Sequence, residues 1–227
     1  MTFTKPLSIM QDFSKALKPP FQLRRSHLLV ASSGLALGVL WLRFQLTDHW
    51  YFLFLVWNLF LAWVPWAISQ VLTVKKIPLS LQLPLLGLWL LFFPNAPYIL
   101  TDLFHLRPRA GLPLWFDLLL ILSFAWAGLM WGFASLRTIE QHIFRSWSRH
   151  LAPLLTFATL YLSAYGVYLG RYLRFNSWDL AHRPASILME IADTWLHPMA
   201  HLDTVGFTAG FGSFLLVAYG LYVASEK

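Results

Sequence analysis

Six stretches of this chain contain no Asp, Glu, Lys or Arg: residues 26–42, 49–74, 77–101, 118–136, 150–170 and 204–225, with lengths of 17, 26, 25, 19, 21 and 22. A helix rises 1.5 Å per residue, so roughly 20 apolar residues cross the ~30 Å hydrocarbon layer of a bilayer. The last five stretches reach that length outright. The first reaches it by extending to about Leu46, with the Arg43 guanidinium snorkelling to the headgroups. Helices satisfy their own backbone polar groups in lipid, where open strands cannot. The spacing therefore predicts an all-α, polytopic membrane helix bundle of about six transmembrane helices.

Composition excludes the alternatives. Hydrophobic residues make up 58% of the 227 and charged residues 12%, with 12 Trp and 19 Phe. Against the ~25% charge usual in soluble proteins, these numbers leave too little polar surface for a soluble globule, and the chain is too apolar for disorder. The chain has no cysteine, which excludes disulfides, thiolate metal sites and cysteine nucleophiles. The net charge of +7 is divided into short basic clusters between apolar runs. No continuous basic patch results, so nucleic acid is excluded as a partner and membrane lipids are the expected one. The sequence leaves protein partners open.

Six spans place both termini on one side. That side carries eleven Lys and Arg (Lys5, Lys15, Lys18, Arg24, Arg25, Lys75, Lys76, Arg137, Arg145, Arg149 and Lys227), against six on the other (Arg43, Arg107, Arg109, Arg171, Arg174 and Arg183). The positive-inside rule then predicts a multi-pass cell-membrane protein with cytoplasmic N and C termini. Two domains are read. Residues 1–26 form a cytoplasmic, basic N-terminal segment. Its Leu7, Met10, Phe13 and Leu17 recur at helical spacing, as an interfacial helix or as a frayed tail. Residues 27–225 form a single transmembrane domain. Within it, Pro184 to His197 reads as a short amphipathic helix on the outer face, with Ile187, Leu188, Ile191 and Trp195 on one side and Glu190, Asp193 and His197 on another.

Polar residues inside apolar spans are the candidates for chemistry, because such groups normally face the bundle interior. The third span carries Pro94-Asn95-Ala96-Pro97-Tyr98, where two prolines remove two backbone donors and force a kink or a break. Asn95 is suited to donate to the freed carbonyls. Asn58 in the second span lies at a similar depth, and a direct Asn58–Asn95 hydrogen bond is one expectation. These two and Tyr98 are candidate pocket-lining residues. Asp102, His105 and Asp117 flank the next outer turn and are candidate catalytic groups for acid–base work.

Arg171 and Arg174 follow a stripe of Tyr161, Tyr165, Tyr168 and Tyr172, with Gly166 and Gly170 on a neighbouring face. With Asn176 and Asp179, the arginines are candidates to bind an anion or headgroup bidentately. A structural latch of Arg171 or Arg174 to Asp179, Asp102 or Asp117 is set ahead of that, because interfacial arginines often merely snorkel. Glu190, His197, His201 and Asp203 add outer-face polarity. No ligand-spacing motif such as His-Glu-x-x-His occurs, so no metal ligand is assigned, and any cofactor is left open. Nucleophile-elbow and Walker motifs are missing too.

Several blocks together resemble a known family. They are Trp57-Asn58 through Pro65, Phe93-Pro94-Asn95-Ala96-Pro97-Tyr98 through Thr101-Asp102 and His105, Trp115-Phe116-Asp117, and Tyr168 through Gly170-Arg171, Arg174, Asn176, Trp178 and Asp179. They resemble the bacterial integral-membrane family called domain of unknown function 1361, over about residues 50 to 220. The resemblance implies a bacterial membrane protein and no substrate, cofactor or catalytic residue. The residues support one working picture, a single polar pocket at the non-cytoplasmic face that binds or processes an anionic lipid or lipid-linked headgroup. A structural protein without a catalytic site is the alternative. A small-solute transporter is third, because the cytoplasmic halves of the spans read as mostly apolar.

Overall fold

The computed structural model describes residues 25–73, 77–109, 111–175, 177, 179–182 and 184–225. The amphipathic reading of the N-terminal segment falls on residues outside these. The described chain is all-α, with no strand among its elements. Six helical segments are long and apolar enough to cross a membrane: Ser26–Thr47, Phe54–Leu72, Leu79–His105, Leu114–Trp147, Ala152–Arg171 and Leu202–Ala224. Their outer surfaces expose Val30, Leu35, Trp57, Phe60, Leu83, Leu122, Trp126, Leu162, Val217 and Leu221. Water would not tolerate so much apolar surface, whereas acyl chains solvate it. The protein is a multi-pass integral membrane protein.

The elements in chain order are α1 (Arg25–Thr47), α2 (Phe54–Leu72), α3 (Leu79–Phe92), the four-residue α4 (Asn95–Tyr98), a 3-10 segment (Ile99–His105), α5 (Leu114–Ile139), a π-helical turn (Glu140–Phe144), α6 (Arg145–Trp147), α7 (Ala152–Arg171), α8 (Asp179–His182), α9 (Pro184–Leu196) and α10 (Leu202–Ala224). The most deeply buried is α5. It packs against α1, α2 and the broken third span, while α10 packs mainly on α7. Two apolar clusters result. One joins α1, α2 and α5 around Leu55, Phe52, Leu120 and Phe124; the other joins α3, α5, α7 and α10 around Trp89, Phe93, Phe133 and Leu215.

The break in the third span is held by close backbone approach. A Cβ on Gly128 or Gly132 of α5 would lie 2.6 Å from Ile99 or Ala96, and one on Gly166 of α7 would lie 2.7 Å from Pro94. Glycine is required here because any larger side chain would push the broken segment out of its groove. Arg43, by contrast, departs from the sequence expectation. It does not snorkel to the headgroups; it is 1% exposed and turned inward. The reason is Asp117, which lies across the α1–α5 contact and offers a buried guanidinium a partner.

Candidate functional site

Pro94 and Pro97 lack N–H groups, and the helix gives way at Phe93–Pro94. Side chains replace the lost donors. Asn95 Nδ2 donates to the Phe92 carbonyl (2.8 Å) and to Ser177 Oγ (3.1 Å), and Ser177 Oγ donates to the Leu91 carbonyl (3.1 Å). The chain then tightens into the 3-10 segment, whose Thr101 and Asp102 are buried. Asn58 does not bond Asn95, contrary to expectation. Its Nδ2 donates instead to Asp102 Oδ2 (2.7 Å), since a carboxylate is the stronger acceptor within reach.

Arg171, at the end of α7, completes this cluster. Its Nη2 donates to Asp102 Oδ1 (2.5 Å) and its Nε to Thr101 Oγ1 (2.7 Å), while the guanidinium lies 4.4 Å from the Tyr98 ring centre. With Arg171 12% and Asp102 1% exposed at the side chain, this is a buried, charge-balanced latch. Arg174 is exposed and takes a left-handed φ of +60°, turning the corner after α7 so that the Phe175 N–H returns to the Leu169 carbonyl (3.1 Å). Asp179 opens α8. Asn176 lies outside the described residues.

Asp117 belongs to a second cluster. Arg43 Nε and Nη2 donate to its Oδ1 and Oδ2 (2.7 and 3.3 Å), and Arg109 Nη1 lies 3.6 Å from Oδ2. His105 sits between the clusters. Its Nδ1 is 3.8 Å from Asp102 Oδ1, too far for a hydrogen bond, and its ring packs on Phe54. The single convergent site expected from the sequence is therefore divided. Asp102 and Arg171 form one latch and Asp117 another, because each carboxylate has its own guanidinium on a different neighbouring helix. Sequence reasoning missed Thr101, Ser177, Arg109 and the inward turn of Arg43. The position of Arg43 inside the first apolar run was the available signal.

Asn58, Asn95 and Tyr98 do come together, on a cavity of about 440 Å³. Its walls come from α2, α3, the break and α7, with Phe175, Ser177 and Ile187 and Ile191 of α9 completing the lining. Apolar side chains such as Leu61, Leu90, Leu162 and Leu169 make up most of the lining. Among the described residues, the polar part of the lining is two amides, two phenols (Tyr98 and Tyr165) and Ser177, with no charged side chain. Both amides direct their N–H groups to protein acceptors, which leaves Oδ1 of each as the unengaged end. The Tyr165 hydroxyl is buried, with the Thr194 hydroxyl of α9 beside it. None of the candidate catalytic residues, Asp102, His105 or Asp117, lines this cavity.

The opposite end of the bundle is more polar than its sequence suggested. Glu140, in the π-helical turn, accepts from Arg137 (3.0 Å), Arg145 (2.8 Å) and Tyr219 (2.6 Å). A cleft of about 380 Å³ beside it is bordered by Ser26, Gln70, Arg137, Thr138 and Gln141.

A family model described as Protein of unknown function (DUF1361) matches residues 57–218. The chain belongs to this family. The matched region contains every residue of the cavity lining and both members of the Asp102–Arg171 latch, while Arg43 lies before it. No curated protein and no solved structure matches the chain.

Proposed function

We propose that this protein is a bacterial cell-membrane protein with cytoplasmic termini whose cavity binds a membrane lipid or lipid-linked molecule through an uncharged, hydroxyl-bearing part. The observation that carries this reading is the cavity lining. Leucines suit an acyl or prenyl chain, and the Asn58 and Asn95 carbonyl oxygens with the Tyr98 and Tyr165 hydroxyls suit hydroxyl donors. An anionic headgroup fits this lining poorly, because amide carbonyls repel an anion and Arg171 is already matched by Asp102. The eleven-to-six distribution of Lys and Arg supports the orientation, with the cavity towards the outer leaflet.

A Gly87→Phe variant tests the reading. Gly87 lines the cavity, and a Cβ there meets nothing within 4 Å, so a side chain can start from this backbone without a clash and its ring be directed at the cavity space. Wild-type protein purified in mild detergent is expected to carry a hydroxylated neutral lipid or glycolipid in native mass spectra, and the variant to lose it while still eluting as a single folded species. Equal retention by both, or no bound lipid in the wild type, rejects the proposal. Orientation is read separately: the chain has no thiol, so cysteines at Lys76 and Arg107 report sidedness to an impermeant reagent on intact cells, with labelling expected only at 107.

A second reading has its own support. Asp102 and Asp117 are both engaged by guanidinium groups, as expected of a scaffold whose polar residues lock the bundle. The lipid experiment separates the two, since a scaffold has no reason to retain one lipid class.

A further inference from the structure

The second cluster carries an imbalance that the first does not. Asp102 and Arg171 cancel, but Asp117 faces two guanidinium groups. Arg43 is matched to it by two hydrogen bonds (2.7 and 3.3 Å), with a third from Nη1 to Thr47 Oγ1 (3.4 Å). Arg109 reaches it only at 3.6 Å, and its remaining described bond is from Nη2 to the His105 carbonyl (3.4 Å). Among the described residues, Arg109 Nη1 is buried with no hydrogen-bond partner, Asp117 Oδ2 standing just beyond bonding range. A buried, unmet guanidinium N–H is costly, and the acceptor that would satisfy it most strongly is an anionic oxygen.

The backbone holds Arg109 in this position. Arg109 pairs with Leu112 across a tight turn, and Gly111 takes φ +100°, a conformation that L side chains rarely adopt. The two guanidinium groups lie together over the same rings. Arg43 is 4.7 Å from the Phe52 centroid and Arg109 4.6 Å, with Tyr51 at 5.9 and 5.6 Å. Trp50, Tyr51 and Trp115 are exposed around this corner, an aromatic girdle of the kind that sits at headgroup level. The Arg109 side chain is 26% exposed, so the residue reaches the surface although Nη1 itself is covered.

We propose that Arg109, backed by Arg43, is a phosphate-binding site at this end of the bundle, separate from the cavity and independent of what the cavity holds. Its ligand is a phosphate group, taken from a phospholipid headgroup or from solution. Arg109 binds the phosphate oxygens. Arg43, held by Asp117 and Thr47, occupies that carboxylate, so that the net positive charge of the cluster is left on Arg109.

The test uses full-length protein in detergent, with the thermal midpoint followed as short-chain phosphatidylglycerol or inorganic phosphate is added. Short-chain diacylglycerol, which lacks phosphate, is the blank. Wild type is expected to be stabilised by at least one phosphate probe and not by the blank. Response to the lipid alone identifies a headgroup site; response to both identifies a site for free phosphate as well. Arg109→Gln is expected to weaken the apparent affinity at least tenfold, Arg109→Lys about threefold because charge survives without the fork, and Arg107→Gln, an exposed neighbour in the same loop, less than twofold. The readout is the ligand-induced shift, so a change in the variants' starting midpoint does not obscure it. The proposal is overturned if neither phosphate probe shifts the wild type, if the blank shifts it equally, if Arg109→Gln responds like wild type, or if Arg107→Gln loses as much as Arg109→Gln.

Discussion

Replacing Asp102 by Asn tests whether the latch holds the bundle. The substitution keeps size and shape but removes the charge opposite Arg171, and either amide orientation sets an N–H against the donors of Arg171 or Asn58. Breaking one side of a buried ion pair costs roughly 3–5 kcal/mol, because the surviving charge is left uncompensated. Arg171 keeps its bond to Thr101 and its place over Tyr98, so the lower end, about 3 kcal/mol, applies here. At roughly 2–4 °C per kcal/mol for a chain of this size, the thermal midpoint should fall by about 6–12 °C. Fluorescence-detected size exclusion after heating, in one detergent throughout, measures it. Pairing Asp102→Asn with Arg171→Gln removes the orphaned charge and should recover more than half of the loss, which makes the two substitutions non-additive. A single variant within 2 °C of wild type (on the order of 0.5 kcal/mol), or a double variant whose losses simply add, would refute the argument.

Gly166→Val places a Cβ 2.7 Å from Pro94 and should cost about 1–3 kcal/mol, read as a lowered midpoint. Gly34→Ala meets nothing within 4 Å and should instead stabilise by up to about 1 kcal/mol, so equal effects at the two glycines would contradict the packing described. Arg174→Gly relieves a left-handed conformation in a side-chain-bearing residue and should raise the midpoint slightly; a clear fall would mean that the side chain holds a contact. Asp193 lies between His201 Nε2 (2.8 Å) and His197 Nδ1 (2.9 Å), which hold its carboxyl below the usual value. A depressed carboxyl contributes stability above its unfolded value of about 3.9 and loses it as pH falls through the folded value. Trp195 emission should therefore change as pH falls below about 4, and an emission that stays level from about pH 4 down to about pH 2 would contradict the reading.

The membrane topology is legible in the sequence because hydrocarbon imposes one simple rule, an uninterrupted apolar length, and the six runs obey it. The break at Pro94–Pro97 is legible for the same kind of reason, since a missing N–H is written in the residue itself. Ion-pair partners are not. Arg43 and Asp117 are 74 positions apart, and nothing in either neighbourhood says that α1 and α5 touch. Reading Arg43 as an interfacial residue followed from its place near the end of a run, and only the helix contact reverses it. Asp102 and Arg171 stood out for their positions, yet charge balance between them is a property of packing, which periodicity does not carry. Ser177 shows the other limit. A loop serine is ordinary until the helix opposite it has carbonyls to satisfy.

The glycines around the broken span have a mechanical consequence. Residues 94–99 are wedged between Gly128 and Gly132 on one flank and Gly166 on the other, closely enough that a methyl group added at any of the three would meet the segment. The third, fourth and fifth spans are therefore joined through this wedge. A rocking motion that parted them, as an alternating-access cycle demands, would have to pull the wedge out of both grooves at once. The cavity wall also includes Ile187 and Ile191 of α9, a helix outside the six spans, so that this part of the wall is not tied to the wedge.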